Sequence, residues 1–311
     1  MIDIKRKKHF FTYQQQIDHL LSKNLMIRDK DQAMIYLQRF GYYSLISAYK
    51  SVFKIQKNGQ YKSHASFDHI VLLYRLDNDL RRLFLQHILT IENHLKSLYS
   101  YAFCELYGDE EADYFNVNNY DYSKYQSLIN EFIMTITRHR NEKHYEYIDY
   151  NLKKYKSVPL WVMIRSLTLG NISKMYSFSK QELKSRIAKN FNSVYPEQLQ
   201  PMIDILSKFR NVCAHNERLY SYKTRNAIHD HLIHQKLNIK KHGQEYTCGK
   251  RDLFSVVIIF KLLLPAEDFF LFTEALTRIL NANKDIIPID CMEIILQEMG
   301  FPNNWDEIER I

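Results

Sequence analysis

Apolar positions recur along most of this chain at steps of three and four residues, the spacing that lines one face of an α-helix. Ile17, Leu20, Leu21 and Leu25 set that pattern over residues 14–26, and a second short helix is predicted over 31–40. Gly41 ends it, and the aromatic run Tyr42-Tyr43-Ser44-Leu45-Ile46-Ser47-Ala48-Tyr49 is expected to begin the next. Asn58-Gly59 marks a turn. Ser66 is a natural N-cap for a long helix to about Tyr107, which Gly108 stops. Ile70, Leu73, Tyr74, Leu80, Phe84, Ile88, Ile91, Leu95 and Leu98 line one face of it, with Asp77 as the polar exception. Glu92 lies beside the stripe; it reads as a surface carboxylate, the other role open to it being to orient an arginine on a facing helix.

Residues 109–123 read as a polar, acidic, Tyr-rich connection, and a helix is predicted over 124–139 with the charged string Arg138-His139-Arg140-Asn141-Glu142-Lys143-His144 at its end. Pro159-Leu160-Trp161 opens a further helix, which Gly170 closes or kinks, and Ser179-x-x-Glu182 has the form of a capping box for the next. Pro196-Glu197 begins a helix whose buried side is Leu199, Met202, Ile203, Leu206 and Phe209. That helix runs into Arg210-Asn211-Val212-Cys213-Ala214-His215-Asn216-Glu217-Arg218-Leu219-Tyr220. Residues 216–251 read as a loop or broken helix, and two more apolar helical segments close the chain. With only 7 Gly and 6 Pro in 311 residues, turns and hairpins are few, and the expected fold class is all-α. The expected regions are 1–65, a helical core over 66–251, and 252–311 packed on that core.

Charge changes the picture. The net charge of +8 is uneven: residues 252–311 carry 4 basic and 11 acidic side chains, whereas 216–251 carry 8 basic and 3 acidic ones. A basic body with an acidic tail points to a polyanion such as nucleic acid as partner, with a plain basic surface as the alternative of equal weight. Lys5-Arg6-Lys7-Lys8 reads as a solvated arm. Cys104, Cys213, Cys248 and Cys291 form no C-x-x-C pair, so neither a zinc knuckle nor a disulfide framework is indicated. The longest apolar run, Leu253 to Phe260, is too short to span a bilayer, and no apolar segment follows the basic N-terminus. A cytoplasmic protein with reduced thiols and no membrane partner is expected.

An Arg separated from a later His by four to six intervening residues occurs at Arg81/His87, Arg82/His87, Arg138/His144, Arg210/His215 and Arg225/His231. The first two lie inside the long helix, where they read as a charged flank, and the 138/144 and 225/231 pairs lie in polar segments. Arg210/His215 stands apart. It sits at the end of an amphipathic helix, is followed by a polar Asn211, and has small or modest side chains between. Asn211 and His215, four apart, nearly share a face. Imidazole moves protons near neutral pH, and guanidinium holds phosphate oxygens bidentately. Read as residues alone, the pair fits structural duty better than catalysis. The cluster His229-Asp230-His231-His234 matches no metal-ligand spacing and reads as solvated histidines.

Arg210-Asn211-x-x-x-His215 resembles the Rx4–6H signature of HEPN ribonucleases. The wider string R-N-V-C-A-H-N-E-R-L-Y is similar to that of the bacterial Abi family of abortive-infection proteins, the AbiD/AbiF-like group. Phe40-Gly41-Tyr42-Tyr43-Ser44-Leu45-Ile46, Pro159-Leu160-Trp161 and Gly300-Phe301-Pro302-x-x-Trp305 extend the resemblance over about residues 35–305. The resemblance implies an all-α HEPN-like helical bundle with N- and C-terminal elaborations, serving phage defence or toxin–antitoxin biology. It also implies metal-independent RNA cleavage by 2′-OH attack, with no cofactor and no metal, at a site completed across a homodimer. His215 would be the acid/base, Arg210 the phosphate and transition-state ligand, and Asn211 the orienting group. Arg218, Lys223, Arg225, Lys236, Lys240, Lys241, Lys250 and Arg251 would hold RNA. The alternative reading keeps the fold without catalysis, as an RNA-binding module in complex with a small structured non-coding RNA. A HEPN antitoxin-like role would require Tyr two residues after the His, where this chain has Glu217.

Overall fold

The computed structural model describes residues 9–55, 57–142 and 144–311. The run Lys5-Arg6-Lys7-Lys8, and Lys143 of the charged string, lie outside them. Among the described residues the fold is all-α apart from one short hairpin. The helices are α1 (Tyr13–Ser22), α2 (Lys30–Phe40), α3 (Phe67–Tyr107), α4 (Glu111–Phe115), α5 (Tyr122–Asn141), α6 (Glu146–Tyr155) and α7 (Leu160–Met163). They continue with α8 (Leu169–Phe178), α9 (Gln181–Ala188), α10 (Pro196–Ala214), α11 (Leu232–Lys236), α12 (Leu253–Leu263), α13 (Ala266–Lys284) and α14 (Ile289–Met299). The hairpin pairs β1 (Lys241–His242) with β2 (Glu245–Tyr246), antiparallel. Among the described residues no helix is long and apolar enough to cross a membrane.

The chain divides into two compact units. One takes in the chain up to Leu80 with Leu276–Glu298; the other comprises Arg81–Ala275 with Met299–Ile311. The cuts fall inside α3, α13 and α14, whereas the sequence places its region boundaries at 65/66 and 251/252.

In the first unit, local chemistry sets the helix ends. Thr12 and Gln15 form a reciprocal capping box at α1, and the Asp29 carboxylate accepts from the Gln32 N–H at 2.9 Å at α2. Gly41 ends α2 at φ +75°. Helix α1 stops at Ser22, short of its expected end, where Asn24 turns left-handed at φ +63° and the Leu25 N–H bonds back to Leu20 O at 3.1 Å. The aromatic run after Gly41 makes only a π-turn (Tyr43–Ser47) and a 3-10 turn (Lys50–Phe53), not a regular helix. Ser66 caps α3 as expected, accepting from the His69 N–H at 3.2 Å. Asp77, the exception in the stripe, is fully buried and accepts from the Tyr49 hydroxyl at 2.8 Å. Such a carboxylate survives burial only when donors reach it.

The second unit is built around α10, which packs along α8 and also against α9 and α12, with α5 on α8. Leu199, Met202, Ile203, Leu206 and Phe209 are all buried, as the stripe predicts. Gly170 does not end a helix. It lies in the first turn of α8, whose N-cap is Thr168, and the segment before it finishes as a 3-10 turn (Ile164–Ser166). A Cβ on Gly170 would stand 3.2 Å from Ser207 Oγ on α10, so the residue sets the approach of two helices. Ser179 likewise forms no capping box. Its hydroxyl donates to Met175 O at 2.6 Å and pairs with the Tyr99 hydroxyl at 2.7 Å. The presumed connection over 109–123 contains α4, whose Glu111 accepts from the Val158 N–H at 2.6 Å, and α6 forms from residues given no element in the sequence.

Three apolar helices, not two, close the chain. Every residue of Leu253–Phe260 in α12 is buried. Asp252 caps α12 by accepting from the Ser255 N–H at 3.1 Å, and burial pushes its carboxyl up to about 6. Gly300 (φ +77°) must be Gly, since a Cβ there would lie 2.1 Å from the Asp252 carboxyl carbon.

Candidate functional site

Helix α10 carries Arg210 and Asn211 in its last turn and ends at Ala214, so His215 is its capping residue. Asn216 follows at φ +57°. Its N–H bonds Cys213 O at 3.3 Å, and the Glu217 N–H reaches back to Val212 O at 3.0 Å, the paired bonds of a Schellman cap. Asn is, after Gly, the residue that best tolerates the left-handed position. The motif string thus has a local explanation. Val212 and Cys213 are buried, Asn216 turns the chain, and buried Leu219 and Tyr220 pin it again.

A third anchor comes from α3. Arg81 donates to Glu217 O at 3.1 Å, just past the turn. Arg81 is 3% exposed and His87 8%, so the pair is not the charged flank the sequence suggests. His87 Nδ1 lies 2.9 Å from Leu83 O, and the ring packs against Phe260 and Phe272. Helix α3 is buried over more than its apolar stripe because other helices of the unit cover it.

The three candidate catalytic groups differ in setting. Asn211 and His215 are exposed, and Arg210 is half-buried. Among the described residues, no hydrogen bond joins the side chains of Asn211 or His215 to Arg210. Arg210 instead meets α3: its Nε lies 3.8 Å from Glu92 Oε2, while Glu92 Oε1 accepts from Lys96 Nζ at 2.7 Å. Glu92 is 5% exposed, so it is no surface carboxylate and takes up the arginine-facing role instead. At 3.8 Å the charges attract without hydrogen bonding, and Arg210 Nε and Glu92 Oε2 are both buried with that bond unmade. The guanidinium is therefore held against Glu92 by charge at its buried Nε, while 30% of the side chain stays exposed to meet an anion.

The eight candidate RNA-binding residues fall into two groups. Lys250 and Lys241 pair with Asp230 at 2.5 Å and 3.3 Å, and Arg251 pairs with Glu245 at 3.3 Å. These pairs hold the segment around the hairpin together, and Lys250 with Lys241 holds the Asp230 carboxyl below its ordinary range. Lys223, Lys236 and Lys240 are exposed; exposed Arg218 lies 5.8 Å from the Tyr220 ring. Arg225 and Arg251 line a cavity of about 740 Å³ with Asp204, Asn226 and His229, beside the N-terminal half of α10.

The histidines of the 229–234 cluster are dispersed in role. His231 caps α11, and His234 is buried, with Nε2 2.9 Å from Gly249 O. In the first unit His64, Asp290 and Cys291 bring ligand atoms within 4.8 Å of one another. There the Lys62 ammonium already donates to Asp290 at 2.7 Å and lies 3.6 Å from Cys291 Sγ, and burial pushes the thiol up to about 11. That donor set is arranged around an ammonium, so it fits an ion pair better than a metal.

An exposed imidazole and amide at a helix end, with a charge-held guanidinium on the same turn, can bind a phosphodiester and move a proton. Neither a curated protein nor a solved structure matches this chain significantly. The family model described as Abi-like protein matches residues 35–221, a span that includes α3 and the whole motif helix and supports a role in abortive infection, the self-sacrificing form of phage defence. The chain belongs to the Abi-like protein family.

Proposed function

We propose that this Abi-like protein is a HEPN-type endoribonuclease that serves phage defence by cutting RNA without a metal. The observation that carries the reading is the terminus of α10, where exposed His215 and Asn211 follow an Arg210 held against buried Glu92. RNA supplies its own nucleophile. The 2′-oxygen bonds to phosphorus as its proton passes to an imidazole, the bond from phosphorus to the 5′-oxygen breaks, and that oxygen takes a proton. The products are a 2′,3′-cyclic phosphate and a 5′-hydroxyl. Arg210 stabilises the charge that develops on the non-bridging oxygens, and Asn211 orients phosphate or imidazole.

One imidazole cannot be the base and the acid in the same instant. A homodimer that brings two α10 termini together would supply both, since a twofold axis pairs each His215 with its copy. Toxin–antitoxin behaviour and restraint by a small structured RNA belong to the same reading.

The test is an assay on purified protein freed of nucleic acid, with total cellular RNA and EDTA present. Wild type is expected to leave cyclic-phosphate ends, and Arg210→Ala/His215→Ala none. Salt-dependent RNA affinity with no cleavage by wild type would refute catalysis and leave an RNA-binding module.

A further inference from the structure

One helical turn along α3 from Glu92, Lys96 lines a cavity of about 300 Å³ together with Asn93, Ser97, Ser100, Trp161 and Arg165. Trp161 is 50% exposed, an unusual state for the largest apolar side chain, and it sits in α7, the short helix that Pro159 opens. Arg165, in the 3-10 turn that follows, is also exposed. The segment that carries both is fixed from beneath: Leu160, Met163 and Ile164 are buried, and buried His139 of α5 meets the Ser166 hydroxyl at 2.9 Å. Trp161 is thus an exposed aromatic face on a rigid support, with a guanidinium one turn away.

We infer that this cavity is a nucleobase-stacking subsite for single-stranded RNA, with Trp161 stacking on one base and Arg165 holding an adjoining phosphate. The inference rests on the ribonuclease reading and adds where a flanking nucleotide binds. The indole offers a π-face that accepts any base, and the exposed polar side chains of Asn93 and Ser97 at the cavity's rim suit base edges and ribose hydroxyls. Lys96 ties the subsite to the candidate catalytic group, because this residue lines the cavity and its ammonium holds the carboxylate that faces Arg210. Helix α6, which packs against α7, brings further aromatic faces, with Tyr147 5.6 Å from Tyr145. Aromatic faces interleaved with cations are the pattern that tracks a single strand.

The chain has two tryptophans, so Trp305→Phe leaves Trp161 as the sole indole emitter. The probe is a fluorescein-labelled ten-nucleotide 2′-O-methyl RNA of A and U, which cannot supply the attacking 2′-oxygen. Anisotropy of the label reads total RNA binding, and in parallel unlabelled titrations Trp161 emission reads the subsite. The expected result is quenching of Trp161 with the same midpoint as the anisotropy rise. Trp161→Ala and Arg165→Glu should each weaken binding about tenfold, and Trp161→Phe, which keeps an aromatic face and guards against a folding failure of the alanine variant, about threefold or less. Binding that leaves Trp161 emission unchanged, or Trp161→Ala binding as wild type does, would overturn the subsite and spare the RNA reading. No anisotropy change at low salt would overturn both.

Discussion

Arg81 and His87 on α3, and Arg210 and His215 on α10, are Arg–His pairs of almost equal spacing within the same unit. Their polar atoms have opposite fates. Arg81 is buried and donates to a backbone carbonyl, and His87 is buried against its own helix and two phenylalanines. Arg210 meets its carboxylate at 3.8 Å with the hydrogen bond unmade, and His215 is exposed at a helix end. Residue type and spacing are shared; spare hydrogen-bonding capacity is not. An Arg–His pair is a candidate for chemistry when the fold holds it in place without using up its polar atoms. The two pairs also cooperate, since Arg81 fixes the carbonyl of Glu217, two residues past His215.

The sharpest way to break this contrast is His215→Ala. If the exposed imidazole moves protons, cleavage falls by at least about a hundredfold. Stability in urea should stay within about 0.5 kcal/mol of wild type, as for other exposed substitutions. Loss of stability of several kcal/mol would make His215 a structural residue and erase the contrast from one side.

Arg81→Met attacks the other side. It removes the bond that the buried Arg81 guanidinium donates to Glu217 O, a hydrogen bond from a charged group, and the expected loss is about 2 kcal/mol in urea unfolding. Any fall in cleavage should then track the population of folded protein. A stable Arg81→Met variant with abolished cleavage would place Arg81 among the functional groups.

The turn between the pairs gives a smaller effect. Asn216→Val puts a β-branched residue at φ +57° and should cost about 1–2 kcal/mol, whereas Asn216→Gly should cost at most a few tenths. Equal melting of the two variants would mean that the left-handed cap does not hold the motif's end.

These tests also mark what was legible in advance. Buried side chains that repeat along one helix announce themselves, so the Leu199-to-Phe209 face, the Gly41 stop and the Ser66 cap can be read from spacing. Gly170, Ser179, Arg81 and Glu92 cannot, because each is defined by a partner remote in sequence. Gly170 looks like a helix stop until Ser207 stands over it, and Ser179 like a cap until Tyr99 claims its hydroxyl. Glu92 and Lys96, four apart at the edge of an apolar stripe, carried the one available hint: such a pair is cheap on a surface and means something only when buried. Trp161 was visible as a landmark, but its exposure is a property of the fold alone.

The smallest effect concerns the string Arg138-His139-Arg140, where His139 is as buried as His87 while Arg138 beside it is exposed. His139 is 8% exposed and hydrogen-bonded to Ser166, and burial, with Arg138 adding to it, holds its pKa below the ordinary 6.5. The fold therefore favours the neutral ring. Its contribution to stability is full above pH 6.5 and is lost as pH falls from there through the lowered value. His139→Phe keeps a ring against Tyr145, and the Ser166 hydroxyl still donates to Met163 O at 2.8 Å, so at pH 7.5 the variant should melt within about 1 kcal/mol of wild type. Between pH 7 and 5 the wild-type-minus-variant stability should decline, because only the wild type must charge a buried imidazole. A difference that stays flat across that range would mean that His139 takes up its proton as easily folded as unfolded, and the support beneath Trp161 and Arg165 would then owe nothing to a neutral histidine.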